Sequence, residues 1–584
     1  MKNKDLKYAR LMDMRIGMFV HYGIYSALGG FWKGNAAPGL GEWIQLRARI
    51  PNADYEAFAK ENFLPRPDFA KNLVRAAKAA GAGYIVFTSK HHDGFCLFKT
   101  AVDGYNSFDF YGRDICRELA DECRKQGLGV GFYYSHTLDW HEKNAAGNVC
   151  VYNPEGTPAN NRNNWDFPDK NIDFLQYFYG KCVPQVKELL TGYGPLELIW
   201  FDFPHDITME KSKELRELVK KYQPNCLINS RIAHGMHDYV SLGDNALPTM
   251  PHGLNIECLV TMNHTWGYRS DDQEWKSSAE LINILARNLS AGATLLLNVG
   301  PMGDGTLTDE TVQILSDIGS YARKNAEAIY GGLEPNPFPS PFDFGQVAML
   351  DNKLFFYLEK NSKDVCVSGL TASPRRVYRV SDSASKAFEY KDGELSFSRF
   401  TDDEELSVYC AEFDTKVEIS GEAKECGNVL TMHVCHAKKA SRSNPDTAPT
   451  PLVYNTEHTI LPGGAFINNT DKLSGWVSTD EYLIFEGEVK GGKYEAELVH
   501  ALGLSATGPL VERVQARITV NGIPCDVGEE VYRRVASKTG MDNTHVIRSA
   551  GILTLPKGKV EVVLEKLADG DSIPVISVRL NRID

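Results

Sequence analysis

The stretch AAGAGYIVFTSKHHDGF, residues 79–95, predicts the fold of the first half of the chain. A helical pattern ends at a glycine, an apolar run follows at once, and polar residues come directly after the run. Glycine after a helix accepts the left-handed conformation that turns the chain toward a strand. The run is apolar without alternation, which is typical of a strand buried on both faces of a parallel sheet. We therefore interpret the stretch as a helix-to-strand junction of a βαβ unit.

The same pattern recurs through about the first 330 residues. Six further apolar runs indicate buried strands: RIGMFVHYG, LGVGFYYS, LELIWFDF, NCLINSR, LNIECLV and TLLLNVGP. Amphipathic segments such as RPDFAKNLVRAAKAAG lie between most of them. This number of βα units favours a (β/α)8-like, TIM-type barrel over residues 1–335. An open doubly wound sheet is the alternative, but no strand is followed by G-x-G-x-x-G.

The pattern changes from about residue 345 onward. Short alternating segments separated by turn residues predict an antiparallel β-sandwich over 336–422. A second all-β tract, 423–584, resembles a carbohydrate-binding module. A structural or oligomerisation domain is the open alternative for that tract.

The charge of the chain argues against nucleic acids and anionic membranes as ligands. The chain has 584 residues and a formal net charge of −13, without clustered lysine and arginine. Nucleic acids and anionic membranes both require such clusters, so neither is expected as a partner. No apolar run approaches the roughly 18 residues of a membrane span, and no signal peptide is visible. We expect a cytoplasmic protein, with a trimmed secreted or periplasmic form left open. The twelve cysteines include no C-x-x-C motif, and we interpret them as core residues or surface thiols.

Titratable and aromatic residues follow the predicted strands one after another. In a parallel barrel the carboxyl ends of the strands meet on one face, so these side chains are expected to converge there. They are His21, Glu42, Trp43, His91, His92, Tyr133, Tyr134, Trp200, Asp202, Arg231, Glu257 and Trp266.

Two of these residues are carboxylates inside apolar runs, Asp202 and Glu257. Burying an unpaired ionised carboxylate is costly, so each needs a partner or a function. A pair of carboxylates surrounded by aromatic and hydrogen-bonding groups matches glycoside hydrolysis. The adjacent pair His91 and His92 is a poor chelate because neighbours on an extended chain point to opposite faces. We expect these histidines to bind hydroxyls, and we expect no metal and no cofactor.

The ordered motifs IGMFVHYG, GEW, TSKHHDGFCLF, LIWFDF, NSR, TWGY and LLLNVGPMGDGT resemble family 29 of the glycoside hydrolases, the α-L-fucosidases. The resemblance implies a retaining exo-hydrolase that releases terminal fucose from an oligosaccharide or glycoconjugate, with Asp202 as the nucleophile. It also implies fucose-binding positions, comprising a polar set and an apolar patch around the C5 methyl. The polar set is His21, Glu42, Trp43, His91, His92, Tyr134 and Arg231, and the apolar patch is Phe19, Trp200 and Trp266.

The acid/base residue is predicted to be Glu257, with Asp244 in SLGDNALP as the alternative. Glutamate reaches further, and apolar neighbours would raise its pKa as a general acid requires. Two other functions stay open, an α-L-galactosidase of the same family and a catalytically silent fucose-binding protein. The linkage, the aglycone and a homo-oligomeric state are not determined by the sequence.

Overall fold

The computed structural model describes residues 6–146, 149–152, 158–160, 162–168, 171–204, 206–251, 253–401, 404–455, 464–467, 472–501, 514–528, 533–535 and 545–584. Within them, no helix is long and apolar enough to cross a membrane.

The first part of the chain forms a parallel β-barrel. Its eight strands are β1 (Ile16–Val20), β2 (Tyr84–Lys90), β3 (Gly129–Ser135), β4 (Leu198–Asp202), β5 (Leu227–Ile228), β6 (Val240–Ser241), β7 (Ile256–Thr261) and β8 (Ala293–Val299). They pair in the order β6-β7-β8-β1-β2-β3-β4-β5. A parallel bridge from Asn229 to Tyr239 joins the two edge strands and closes the ring. The TIM-like fold predicted from the sequence is confirmed.

Helices surround the barrel and cover its outer face. The longer ones are Leu6–Met14, Asn52–Asn62, Phe69–Ala79, Ile115–Gln126, Val183–Gly192, Met209–Tyr222, Ser278–Ala291 and Asp309–Lys324. Shorter helices in the loops are Ile24–Leu28, Ile44–Arg47, Ser107–Tyr111 and Phe174–Tyr177. The predicted junction glycines Gly127 and Gly292 end their helices in the left-handed conformation. Only one or two residues therefore separate these helices from the strands β3 and β8 that follow them.

Side chains of the strands divide between two cores. One core lies between strands and helices, and the other fills the barrel interior with residues such as Phe19, Tyr84, Trp200 and Leu296. Successive side chains of a strand point to opposite faces, so every second residue enters the barrel. This alternation decides which residues at the strand ends reach the site.

Two small antiparallel sheets follow the barrel. The first contains Gly345–Leu350, Lys353–Glu359, Leu406–Glu412, Arg376–Arg379 and Ser385–Lys386, and the second contains Val365–Ser368, Glu394–Phe397 and Glu389–Lys391. The five-stranded sheet packs one face on the barrel, where the hydroxyl of Tyr357 donates to the carbonyl of Ala328. Its other face packs with the second sheet around Phe356.

The C-terminal tract forms two further antiparallel sheets around their own core. One contains Thr450–Pro451, Lys438–Ser441, Glu481–Val489, Gly558–Lys566, Ala516–Val520 and Ile523–Asp526, with Ala423–Lys424 joined to it in parallel. The other contains Val429–His433, Val575–Arg582, Gly492–Ala501, His545–Leu555 and Arg533–Val535. The β-rich second half of the chain is as predicted, while the domain boundaries at 335 and 422 stay predictions.

Candidate active site

A cavity of about 230 Å³ lies at the carboxyl ends of the barrel strands. Its walls come from the barrel interior and the loops above it: Phe19, His21, Leu40, Glu42, Trp43, Arg47, His91, His92, Tyr133, Trp200, Asp202, Phe203, Arg231, Asp244, Leu259 and Trp266. Nearly all of the predicted fucose-binding positions are in this set.

Asp202 is the last residue of β4 and lies between three partners. Its Oδ1 accepts a hydrogen bond from Arg231 at 2.9 Å, and its Oδ2 accepts one from the Tyr133 hydroxyl at 2.7 Å. His92 Nε2 lies 3.8 Å from the same Oδ2. Burial alone would raise the pKa of Asp202, but the charge of Arg231 and these hydrogen bonds outweigh it and hold the pKa well below its usual range. The carboxylate is therefore ionised throughout the physiological pH range.

Arg231 joins two carboxylates. It belongs to the short turn Ser230–Ile232 that follows β5, and its guanidinium lies 4.8 Å from the centre of the Trp200 ring. One nitrogen contacts Asp202, and the other contacts Oδ1 of Asp244 in the loop after β6. Asp244 is about half exposed, at 49% of its side chain, while Asp202 is 14% exposed. The pocket thus holds one enclosed and one accessible carboxylate on the same cation.

Three histidines, His21, His91 and His92, line the pocket. Burial lowers the pKa of His21 and of His92 to about 4, and it also lowers the pKa of His91, so all three are neutral at neutral pH. Ser135 donates its hydroxyl proton to Leu138, so its oxygen accepts from His92 Nδ1 at 2.8 Å. The Nε2 atom of His92 is then a hydrogen-bond acceptor directed at the pocket.

His21 has the same arrangement. Its Nδ1 lies 2.6 Å from Oδ1 of Asn298, whose amide nitrogen donates to the carbonyl of Trp266. Oδ1 is thus an acceptor and Nδ1 of His21 the donor, which leaves Nε2 to accept. Neutral imidazoles with a fixed tautomer suit sugar hydroxyls better than they suit an anion.

Glu42 adds an acceptor to this wall. Its Oε2 accepts from the backbone N–H of Gly267 at 2.8 Å and from Thr265 at 3.3 Å. Its Oε1 is buried without a hydrogen-bond partner among the described residues. Burial raises the pKa of Glu42 to about 7. A ligand hydroxyl donated to Oε1 would satisfy this oxygen, since buried polar atoms are normally hydrogen-bonded.

An apolar wall completes the pocket. Phe19 packs against Trp200 at 5.1 Å and against Trp266 at 6.1 Å between ring centroids. Leu259 of β7 lies in the same interior core. These side chains can cover a methyl group but offer it no hydrogen bond.

Glu257, the predicted acid/base, does not line this pocket. It is fully buried, and its two oxygens accept hydrogen bonds from the Tyr84 hydroxyl at 3.0 Å and from Trp200 Nε1 at 2.9 Å. Leu259, two residues later on the same face of β7, is at the pocket, so Glu257 lies roughly 6–7 Å deeper in the barrel. Burial raises its pKa to about 7 as expected, but its position is incompatible with proton transfer to a ligand.

Tyr134, a fucose-binding position implied by the resemblance, does not line the pocket either. Its hydroxyl donates to Gln185 at 2.8 Å and its ring lies in the outer core. Its neighbour Tyr133 enters the barrel and contacts Asp202 instead. Choosing between adjacent aromatic residues needs the register of the strand, which an apolar run without alternation does not reveal.

The sequence also did not indicate four further lining residues: Leu40, Arg47, Phe203 and Leu259. Phe203 follows Asp202 directly and has a φ of 60°, a left-handed conformation that is uncommon for a bulky residue.

A barrel that carries paired carboxylates, neutral histidines and an apolar wall at its strand ends is typical of a glycoside hydrolase. The profile of the α-L-fucosidase family matches residues 2–327, and the chain belongs to that family.

Curated and solved relatives agree with the family. Tissue α-L-fucosidase of Bos taurus is 29% identical over 354 residues, covering 54% of this chain and 68% of that protein. A solved α-L-fucosidase of Lactobacillus casei with fucose bound is 38% identical at a TM-score of 0.52, covering 55% of this chain and 99% of that one. An α-L-fucosidase structure from a Vibrio strain is 24% identical to this chain at a TM-score of 0.81. The alignment covers 100% of this chain and 99% of the Vibrio chain, so the complete fold has a precedent. The chain spans about two thirds of the length of the curated relatives it matches.

Proposed function

We propose that the chain is a retaining, exo-acting α-L-fucosidase in which Asp202 is the nucleophile and Asp244 the acid/base. The contact of Arg231 with both carboxylates carries the proposal, because it keeps an enclosed and an accessible carboxylate together at the pocket. Retaining glycosidases need two carboxyl groups close together, about 5–5.5 Å apart.

Asp202 suits the attack on the anomeric carbon. It is ionised, it is positioned by Arg231 and Tyr133, and it lies among the residues that would hold the sugar. Attack forms a glycosyl ester on Asp202, and the aglycone leaves with a proton from the second carboxyl group. Water then releases fucose with net retention of configuration.

Asp244 replaces Glu257 in the second role. It lies at the accessible side of the pocket, where a leaving group and an incoming water must pass. In a related Lactobacillus casei α-L-fucosidase, an aspartate-to-alanine variant was solved with a nitrophenyl fucoside and with fucosyl-α(1,6)-N-acetylglucosamine. Those complexes support a fucosylated glycan as the substrate class here.

The polar and apolar walls of the pocket support fucose as the sugar that it binds. Neutral His21 and His92 present acceptors, and Glu42 presents an unused oxygen, to the hydroxyls of the ring. The apolar wall fits the C5 methyl and leaves the additional hydroxyl of an α-L-galactoside unpaired, which costs about 1–3 kcal/mol. We therefore expect kcat/KM for a nitrophenyl α-L-fucoside to exceed that for the α-L-galactoside by roughly 5- to 150-fold.

Azide rescue separates the two carboxylates. We expect Asp202→Ala to lower kcat on a nitrophenyl α-L-fucoside by roughly three orders of magnitude or more. Azide added to Asp244→Ala should restore turnover and give the α-fucosyl azide, because the glycosyl ester still forms. Azide added to Asp202→Ala can give only the β-azide. Asp121→Ala, which removes an exposed carboxylate from an outer helix, is the control and should keep wild-type rates.

The opposite stereochemistry would exchange the two roles. Rescue of Glu257→Ala but not of Asp244→Ala would return the acid/base function to Glu257. Fucose binding by calorimetry without turnover of any fucoside would instead identify a silent binding protein.

A further inference from the structure

The cysteines are mostly core residues, but two of them lie together at the boundary between the β-rich parts of the chain. Cys366 is on the strand Val365–Ser368, and Cys426 lies between Ala423–Lys424 and Val429–His433. Their Sγ atoms are 2.6 Å apart. Sixty residues separate them in sequence, so the proximity comes from the fold.

Both cysteines are partly exposed. Eight of the eleven cysteines in the described part of the chain are buried, whereas these two are partly exposed. They line a cleft of about 440 Å³ between the middle sheets and the C-terminal sheets. A small reagent can therefore reach them without unfolding.

Glu394 completes a group of three potential metal ligands with the two cysteines. Two thiolates on one tetrahedral zinc, with Zn–S bonds of about 2.3 Å, lie roughly 3.7 Å apart. The observed 2.6 Å is much shorter and closer to the S–S bond length of about 2.04 Å. In addition, Lys490 Nζ binds Oε2 of Glu394 at 2.6 Å and competes for that ligand. The geometry favours a disulfide over a metal site.

We propose that Cys366 and Cys426 form a reversible disulfide that ties the middle sheets to the C-terminal sheets, with a low-molecular-weight disulfide as the oxidant. The Cys366 thiolate attacks one sulfur of the small disulfide and releases one small thiol. Cys426 loses its proton and displaces the second small thiol from the mixed disulfide. Two protein thiols are oxidised, one small disulfide is reduced, and the two protons end on the released thiols.

The local electrostatics suit this order of attack. The hydrogen bond from Cys426, assisted by the charge of Lys490, lowers the pKa of Cys366, while the pKa of Cys426 is raised by the same contact. The thiolate with the lower pKa is the one expected to attack first.

Thiol mapping of the full chain tests the proposal without any use of its activity. The protein would be equilibrated with mixtures of oxidised and reduced glutathione, alkylated and digested. We expect one cross-linked peptide pair containing Cys366 and Cys426, with the number of free thiols falling from twelve to ten. The oxidised form should melt roughly 5–10 °C higher, as a disulfide across a loop of this length predicts. Cys366→Ser should lose both effects, whereas Cys435→Ser, a partly exposed thiol elsewhere, should keep them.

Three results would overturn it. They are twelve free thiols under all conditions, a glutathione adduct without a cross-link, and stoichiometric zinc in the purified wild type that Cys426→Ser lacks. The cross-link is measured on the wild type, so the conclusion does not depend on the folding of a variant.

Discussion

At the scale of single residues, the side chains that line the pocket are positioned by hydrogen bonds. Tyr133 donates to Asp202, and Glu257 accepts from Trp200 below the pocket. The sequence pattern predicts Tyr133 at the strand ends without assigning it a partner, and it predicts Glu257 at the pocket rather than below it. The residues that were assigned correctly to the pocket wall, such as His91 and Arg231, follow the strand ends, where the direction of the chain is enough to place them.

Removing the Tyr133 hydroxyl should raise the pKa of Asp202. That hydrogen bond stabilises the ionised carboxylate, and the proposed nucleophilic role of Asp202 requires the ionised form. In Tyr133→Phe the acid limb of kcat/KM should therefore move to higher pH by about one to two units, since a charged hydrogen bond contributes about 1.5–3 kcal/mol. A pH profile with an unchanged acid limb would show that Arg231 alone sets this pKa.

Glu257 should make the protein less stable as the pH rises. Burial raises its pKa from 4.5 to about 7, so between these values the folded state binds a proton that the unfolded state has lost. The free energy of unfolding then falls with increasing pH over this window, by up to about 3 kcal/mol from this group. Urea unfolding at both ends of the window should show a smaller decrease in Glu257→Gln than in the wild type. An equal decrease in both proteins would locate the proton elsewhere, for example on Glu42 or Asp93, whose pKa values burial also raises to about 7.

At the scale of secondary structure elements, the loops above the barrel pack closely, backbone against backbone. Gly300 follows β8, and a Cβ atom placed on it would lie 2.8 Å from the backbone oxygen of Trp266 and from the backbone nitrogen of Tyr268. Backbone atoms cannot yield as a flexible side chain would, so this close approach requires glycine.

Gly300→Ala should therefore displace the loop that carries Trp266. We expect kcat/KM for a nitrophenyl α-L-fucoside to fall roughly tenfold or more, because misplacing a binding wall by a fraction of an ångström weakens catalysis strongly. Gly180→Ala is the matched control, since a Cβ atom there meets nothing within 4 Å. Equal activity of both variants would mean that the loop adapts.

The elements themselves were largely predictable. The order of apolar runs and glycine-terminated helices predicted a TIM-like barrel. Glycines indicate where helices end, and uninterrupted apolar runs indicate strands that are buried on both faces. The run GVGFYYS does not show which of its two tyrosines enters the barrel, and Tyr134 was misplaced for that reason. Glu257 enters the barrel on the same face of β7 as Leu259, but its depth below the pocket leaves no local pattern in the sequence. The paired role of Asp244 depends on a contact across thirteen residues with Arg231, which no local pattern encodes.

At the scale of the whole molecule, the C-terminal sheets contact the loop that carries Asp244. Thr249, five residues after Asp244, has its hydroxyl 2.7 Å from Nε2 of His433 on the strand Val429–His433.

We expect Thr249→Val to lower kcat several-fold with little change in KM, because the loop loses an anchor while the sugar-binding walls stay in place. Thr249→Ser keeps the hydroxyl and should restore the rate. If Thr249→Val and the wild type have the same kcat, the C-terminal sheets do not position the acid/base residue.

The size and floor of the pocket have a consequence for how a glycan is consumed. A cavity of about 230 Å³, closed below by Trp200 and the buried Glu257, has room at one end only. If the chain is exo-acting as proposed, its rate on a polymeric glycan should follow the number of unblocked terminal fucosyl residues and not the length of the polymer. A terminal fucose that carries a sulfate, an acetyl group or a further sugar on a ring hydroxyl would not fit the pocket. Its branch would then resist hydrolysis until another enzyme removed the substituent.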